Sequence, residues 1–422
     1  MEGAILAIGN ELVQGKVRNT TSFWAAQRLF LSGYKIKEII TIPDDLQLIK
    51  EHLSLLVKRY PFVIISGGLG PTTDDVTNQA LAETLNLPLE TNQEVLTQIR
   101  AREKDLGLRP NPLRERMAAL PKGAQPLTHT KAMAGYLIRY AKCLLFCLPG
   151  VPKEFLYLLE EKVIPLLRKH LPPSQAISSL TLKIFGLREA DINLELQDLE
   201  EENLNIGYYP QLPEIHLTIT ALGKSEEEAH QRLQEALGKI KALFGEYIFG
   251  QNGDTLESVV GKLLSERGET LAVAESCTGG LIASRITRIP GSSSYFDRGV
   301  VTYSNQAKID LLGVSKQCLE THGAVSKATA LAMAEGIRRI SKTTYSLSVT
   351  GIAGPTGGSP RKPVGTVWIG FSCPQGTVAQ CFLFPGDRQL VQDFAATTAL
   401  DWLRRYLTYD TLLPSYKFLR NC

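Results

Sequence analysis

Three short runs constrain the fold most. Gly3 to Gly9, Lys37 to Ile42 and Phe62 to Ser66 are apolar or β-branched stretches of strand length. Each gives way to a turn bearing glycine or aspartate, and each turn leads into a stretch with helical spacing. The helix of about Thr20 to Gly33 carries Phe23, Ala26, Leu29 and Phe30 on one face. Such alternation predicts an α/β fold, a parallel sheet covered by helices on both faces. Functional loops of such sheets lie at the carboxyl ends of the strands. Gly67-Gly68-Leu69-Gly70-Pro71 falls there, and Asp74-Asp75-Val76-Thr77 is expected to open the next helix.

The 422 residues suggest about three domains at ~150 residues each. Leu144 to Leu148 reads as a later strand, with a helix running to about His170 and a linker at Leu171-Pro172-Pro173-Ser174. Glu214 to Thr220 alternates polar and apolar with period two, as a half-buried strand does, and a charged helix follows. The pattern changes again at Thr255, where an amphipathic helix precedes a strand over Thr270 to Ala274. The expected boundaries are residues 1–170 for a parallel-sheet domain, 175–250 for a small α+β module and 253–412 for a second α/β domain.

Composition excludes several classes. The net charge is +3 and the basic residues are scattered, unlike the concentrated footprint of a nucleic-acid binder. No segment reaches the ~18 apolar residues of a membrane span, and no signal sequence is read at the start, so a cytoplasmic protein is expected. The seven cysteines form no paired pattern. Cys143 and Cys147, inside an apolar run, read as small core hydrophobes.

Ser276 follows an apolar strand and precedes Thr278-Gly279-Gly280 and a helix. Unpaired N–H groups at such a turn can receive a phosphate or the oxyanion of an attacked amide. A serine there attacks a carbonyl once a base removes its proton. Ser276 and Thr278 are also natural helix caps, and Cys277 is a rival nucleophile. Tyr303 and Lys308 supply side chains that act as bases when their neutral or deprotonated forms are favoured.

Ordered motifs then carry a resemblance. Ala274 to Gly280, Gly291-Ser292-Ser293, Arg298 to Asn305, Lys308, His322 to Ser326, Gly351 to Pro355, Lys362 to Val367 and Phe384 to Arg388 together resemble the C-terminal nicotinamide mononucleotide amidohydrolase domain of CinA (competence/damage-inducible) proteins. The resemblance implies hydrolysis of nicotinamide mononucleotide to nicotinate mononucleotide and ammonia without a cofactor. It implies Ser276 as nucleophile, with Tyr303 and Lys308 as the base system. It places Glu275, Thr278, Gly279, Gly280, Gly351, Gly354 and Arg388 at the substrate, and it implies a homodimer.

The N-terminal stretch joins a glycine turn, which can cradle phosphate, to adjacent carboxylates that suit Mg²⁺ or a similar hard cation or simply cap a helix. With Gly9-Asn10-Glu11-Leu12, Pro43-Asp44-Asp45 and Leu148 to Glu154, it resembles the molybdopterin-binding fold of the CinA N-terminal domain. There the resemblance implies a metal-dependent ADP-ribose pyrophosphatase, with Asp44, Asp74 and Asp75 as the acids and Gly68 and Gly70 at the substrate. Lys131-Ala132-Met133-Ala134-Gly135 stands where the family has Gly-Thr-Ala-Pro-Gly. A non-catalytic nucleotide-binding or regulatory module is therefore the alternative for this domain. A competence or DNA-damage accessory role is a third reading, against which the near-neutral charge speaks.

Overall fold

The computed structural model describes residues 1–127 and 135–417. Residues 131–134, where the sequence departs from the family turn, lie outside the described residues. The chain forms two compact units: residues 1–178 with 222–230, and residues 179–221 with 231–422. The small middle module thus falls mostly in the same unit as the C-terminal domain.

The first unit begins β1 (Glu2–Ile8), α1 (Thr20–Leu31), β2 (Lys35–Ile42), α2 (Leu46–Arg59) and β3 (Phe62–Ser66). It continues with α3 (Thr77–Leu85), α4 (Gln93–Asp105), β4 (Gln125–Pro126), β5 (Tyr136–Tyr140), β6 (Cys143–Leu148) and α5 (Pro152–Leu158). The sheet order is β2-β1-β3-β6-β5-β4. The β2-β1-β3-β6 part is parallel, and β5 and β4 add antiparallel strands at one side. Alternation along the strands makes two cores. Ala4, Leu6, Val63 and Ile65 pack on one face, while Ile5, Phe62 and Ile64 pack on the other beneath Leu29 and Phe155. Both faces are covered, as the continuous apolar runs require. Cys143 and Cys147 are buried, free thiols in the first of these cores.

In the second unit the middle module is a four-stranded sheet. Its strands are β7 (Ala176–Ile184), β8 (Leu204–Gln211), β9 (Glu214–Gly223) and β10 (Ile248–Gln251), in the order β8-β9-β7-β10. Two helices accompany it, α6 (Glu189–Leu196) and α7 (Glu226–Phe244).

The C-terminal domain has α8 (Leu256–Arg267), β11 (Leu271–Glu275), α9 (Leu281–Thr287), β12 (Phe296–Val301), α10 (Asn305–Leu312), α11 (Lys327–Ser341), β13 (Tyr345–Gly351), β14 (Thr366–Cys373), β15 (Gly376–Leu383) and α12 (Arg388–Tyr409). The sheet order is β12-β11-β13-β14-β15. β11 is parallel to both neighbours, whereas β14 and β15 are antiparallel additions. Leu271 and Val273 of β11 face one core, and Ala272 and Ala274 face Leu312, Met333 and Ile337 on the other side. The carboxyl end of a central strand therefore presents Glu275 and Ser276. Cys381 on β15 is disulfide-bonded, a pairing not anticipated from the sequence.

Candidate functional site

Glu275 ends β11 and is almost fully buried. Its carboxylate accepts N–H bonds from Gly280 at 3.1 Å, Ile282 at 3.1 Å and Ala283 at 2.9 Å. The first turn of α9 is thus satisfied from within. Gly279 and Gly280 have φ of +64° and +99°, a left-handed pair that lets the chain fold back onto Glu275. The Glu275 carboxylate and the Gly280 N–H, both expected at the substrate, bond to each other here.

Ser276 is held by its own N–H, which donates to the Val349 carbonyl at 2.9 Å. Its side chain meets Lys308. The start of α10 decides this: Ser304 caps it by accepting from the Ala307 N–H at 3.0 Å, which turns Lys308 inward at the end of the first turn. Lys308 is 1% exposed. Its Nζ donates to Ser276 Oγ at 3.1 Å and to the Thr302 carbonyl at 2.7 Å. Burial pushes its pKa below the ordinary lysine value, because the charged form loses hydration. No carboxylate forms an ion pair with it among the described residues. A buried amine so placed is poised to take a proton from the serine hydroxyl.

Cys277 points into the core, and burial raises its thiol pKa to about 12. Lys308 and Arg388 pull the other way, but burial outweighs them, and the thiol lacks the accessible setting of a reactive cysteine. Tyr303 is 62% exposed, and its hydroxyl accepts from Arg388 at 3.0 Å. Only its main-chain carbonyl approaches Lys308, at 3.5 Å. The structure therefore brings Lys308, but not the Tyr303 hydroxyl, to the serine.

An open cavity of about 1040 Å³ adjoins this turn. Thr278, Gly279 and Gly280 form one side, and Arg388, Gln389, Gln392 and Asp393 of α12 form another. Arg388 is fixed by a 2.8 Å bond to the Gly354 carbonyl. Gly354 thus acts through Arg388, while Gly351 packs against β14 and does not line the cavity. The sequence reading missed Gln392, whose Nε2 donates to the Cys277 carbonyl at 2.7 Å and ties α12 to the serine turn. The signal was present: Arg388 and Gln392 are four apart at a helix start and share a face.

The first unit holds a cavity of about 630 Å³ at the carboxyl ends of β1 and β3. Gly68, Gly70, Glu11, Asp44, Asp74 and Asp75 line it. Asp44 accepts from the Asn10 N–H at 2.8 Å, and Asp75 from the Thr72 N–H at 2.9 Å. Burial raises the Asp44 pKa, and Glu11, Asp74 and Asp75 add to the rise. The helix starts at Thr77, so Asp74 and Asp75 stand in the preceding turn rather than opening it as expected. The three acids share a cavity, but no group of three or more His, Cys, Asp or Glu is arranged to hold a metal among the described residues. The neighbouring main chain and Thr72 already occupy part of their acceptor capacity.

Comparison with known proteins follows this geometry. Family models match residues 253–407 as the CinA C-terminal domain, 4–169 as a probable molybdopterin binding domain and 179–250 as the damage-inducible protein CinA KH domain. A CinA-like protein of Desulfotalea psychrophila is 41% identical over 416 residues, which is 97% of this chain and 100% of that one. The chain belongs to the CinA family. A putative competence-damage inducible protein of Caldanaerobacter subterraneus subsp. tengcongensis is 39% identical, with 96% of this chain and 98% of that one covered. Among solved structures, the competence/damage inducible protein CihA of Agrobacterium tumefaciens matches at 43% identity and a TM-score of 0.35, covering 35% of this chain and 91% of its own. The CinA C-terminal match spans Ser276, Lys308 and Arg388, and the molybdopterin-binding match spans Asp44, Asp74 and Asp75. Among the described residues of this CinA-family chain, no helix is long and apolar enough to cross a membrane.

Proposed function

We propose that the C-terminal domain hydrolyses the carboxamide of nicotinamide mononucleotide to nicotinate mononucleotide and ammonia. The observation that carries this reading is the buried Lys308 amine bonded to Ser276 Oγ. Neutral Lys308 takes the Ser276 proton as Oγ bonds to the amide carbon, and the carbonyl π pair moves onto oxygen. The oxyanion then collapses, the C–N bond breaks, and the Lys308 ammonium protonates the leaving nitrogen to give ammonia. Water attacks the acyl-serine with Lys308 again taking the proton, which returns to Ser276 Oγ as the acid is released. Arg388 suits the substrate phosphate, since it lines the cavity and, among the described residues, bonds to a carbonyl and a hydroxyl and to no carboxylate. Purified protein should release ammonia from nicotinamide mononucleotide, and Ser276→Ala should not. Equal release by the two would sink this reading.

A second reading concerns the first unit, as an ADP-ribose pyrophosphatase. Its support is the crowding of Glu11 and Asp74–Asp75 about the half-buried Asp44, an uncompensated negative charge that suits a divalent cation. Mg²⁺ commonly binds through one or two carboxylates together with substrate phosphates, so a preformed three-ligand group is not required. Asp44 and Asp74 would hold the ion, which would neutralise diphosphate charge when bound. AMP release from ADP-ribose that depends on Mg²⁺ and is lost in Asp44→Asn tests it. A Mg²⁺-independent rate would remove the cation from this reading, and no rate leaves the module as a binder.

A further inference from the structure

Every amide hydrolysis by a serine needs donors for the oxygen that becomes negative, and most N–H groups at the Ser276 turn are already used. Ser276 N–H goes to the Val349 carbonyl, Gly279 N–H to the Ser276 carbonyl, and Gly280, Ile282 and Ala283 N–H to the Glu275 carboxylate. Cys277 N–H also has no acceptor among the described residues, but the Cys277 side chain turns into the core and adds no second donor. Thr278 is what remains. Its N–H has no acceptor among the described residues. Its side chain is 3% exposed, its Oγ1 has no hydrogen-bond partner among the described residues, and the residue, two positions after Ser276, lines the cavity.

A buried hydroxyl left without a partner has lost its hydration with nothing in return. In a turn whose Ser276, Gly279 and Gly280 N–H groups are all bonded, such a group marks a place kept for a ligand. We propose that Thr278 is the oxyanion-binding residue of this site, its main-chain N–H and its hydroxyl together receiving the carbonyl oxygen as Ser276 Oγ bonds to carbon. The inference rests on the serine-acylation reading but not on the identity of the amide. In the attack the π pair of the carbonyl moves to oxygen, and Thr278 donates two hydrogen bonds to it without giving up a proton. On collapse the pair returns, the C–N bond breaks, and the same two donors are free again for the deacylation intermediate.

Thr278→Val keeps the shape and the N–H and deletes the hydroxyl, and Thr278→Ser restores a hydroxyl. A fluorophosphonate probe reports the oxyanion site without requiring any amide substrate: its phosphoryl oxygen must occupy that site while Ser276 displaces fluoride. Labelling of Ser276, followed by mass spectrometry, should slow at least tenfold in Thr278→Val and recover to within about threefold of wild type in Thr278→Ser. In parallel, kcat for nicotinamide mononucleotide should fall with little change in KM. A Thr278→Val protein that labels at the wild-type rate overturns the proposal, as does a wild-type Ser276 that never labels. Slowed labelling in Thr278→Val with no ammonia released by wild type would instead retire the nicotinamide substrate and leave the Thr278 assignment standing. Circular dichroism of both variants separates a folding defect: slowed labelling accompanied by lost structure in Thr278→Val, with Thr278→Ser no faster, counts against the assignment.

Discussion

Lys308 Nζ donates to Ser276 Oγ at 3.1 Å from a position with 1% exposure. Catalysis needs the amine neutral, and burial lowers its pKa below the usual lysine range. The neutral form is populated only above that lowered pKa. The kcat/KM for amide hydrolysis should therefore rise with pH and level off below the pH at which an ordinary lysine titrates. Lys308→Arg keeps a cation that does not deprotonate, so it should lose the rising limb and about 10²–10⁴-fold in rate. A pH profile of both proteins checks this, and a Lys308→Arg enzyme with wild-type rate would remove the lysine from the chemistry.

Glu275 gives the next prediction. Among the described residues it holds three main-chain N–H groups and no side-chain cation pairs with it. Glutamine is isosteric, but its amide nitrogen cannot accept, so at least one N–H at the start of α9 is left buried and unpaired. Glu275→Gln should cost about 1–3 kcal/mol in urea unfolding. Turnover should fall as well, because the same turn carries Ser276 and Thr278. Unchanged stability would mean the turn is held by the two glycines alone.

The sequence reached the architecture through its periodicity. Strand–turn–helix repeats put Gly67–Asp75 and Ser276–Gly280 at strand ends, and the first run and Thr278–Gly280 of the second line cavities. What it did not reach is contact between distant segments. Lys308 lies 32 residues from Ser276, and nothing local says that Ser304 will cap α10 and turn the lysine inward. Tyr303 looked equivalent to Lys308 because both stand near one strand end, yet its hydroxyl bonds to Arg388, 85 residues away. Glu275 bonds only to main-chain N–H groups, which carry no residue signature at all. The antiparallel β14 and β15 escaped for a related reason: apolar runs look alike whichever way the neighbouring strand points.

Cys277 separates the two candidate nucleophiles. Its thiol is buried, with a pKa raised to about 12, so almost none is thiolate at neutral pH. Cys277→Ala should retain most of the ammonia release and lose about 1 kcal/mol of stability from a small cavity in the core. Loss of activity without loss of structure would transfer the nucleophile role from Ser276 to Cys277.

At the far end of α12, Asp401 accepts from Arg404 Nε at 2.7 Å and from Arg405 Nε at 2.8 Å, and all three side chains are buried. Arg405 also reaches Glu246 at 2.9 Å and lies over the rings of Tyr247 and Tyr416. Arg404 donates to the Glu246 carbonyl at 2.7 Å. Asp401 therefore bridges two guanidinium groups, and with Glu246, which also pairs with Arg405, they fasten the segment following α7 to the last helix. Asp401→Asn removes that charge, leaving Arg404 buried without its carboxylate and Arg405 with Glu246 alone, at a cost of about 3–5 kcal/mol. The same helix begins at Arg388 and carries Gln392 to the serine turn, so loosening its end should also raise KM for the phosphorylated substrate. Thermal unfolding and steady-state kinetics on one preparation test both. A large stability loss with unchanged KM would show that the two ends of α12 act independently.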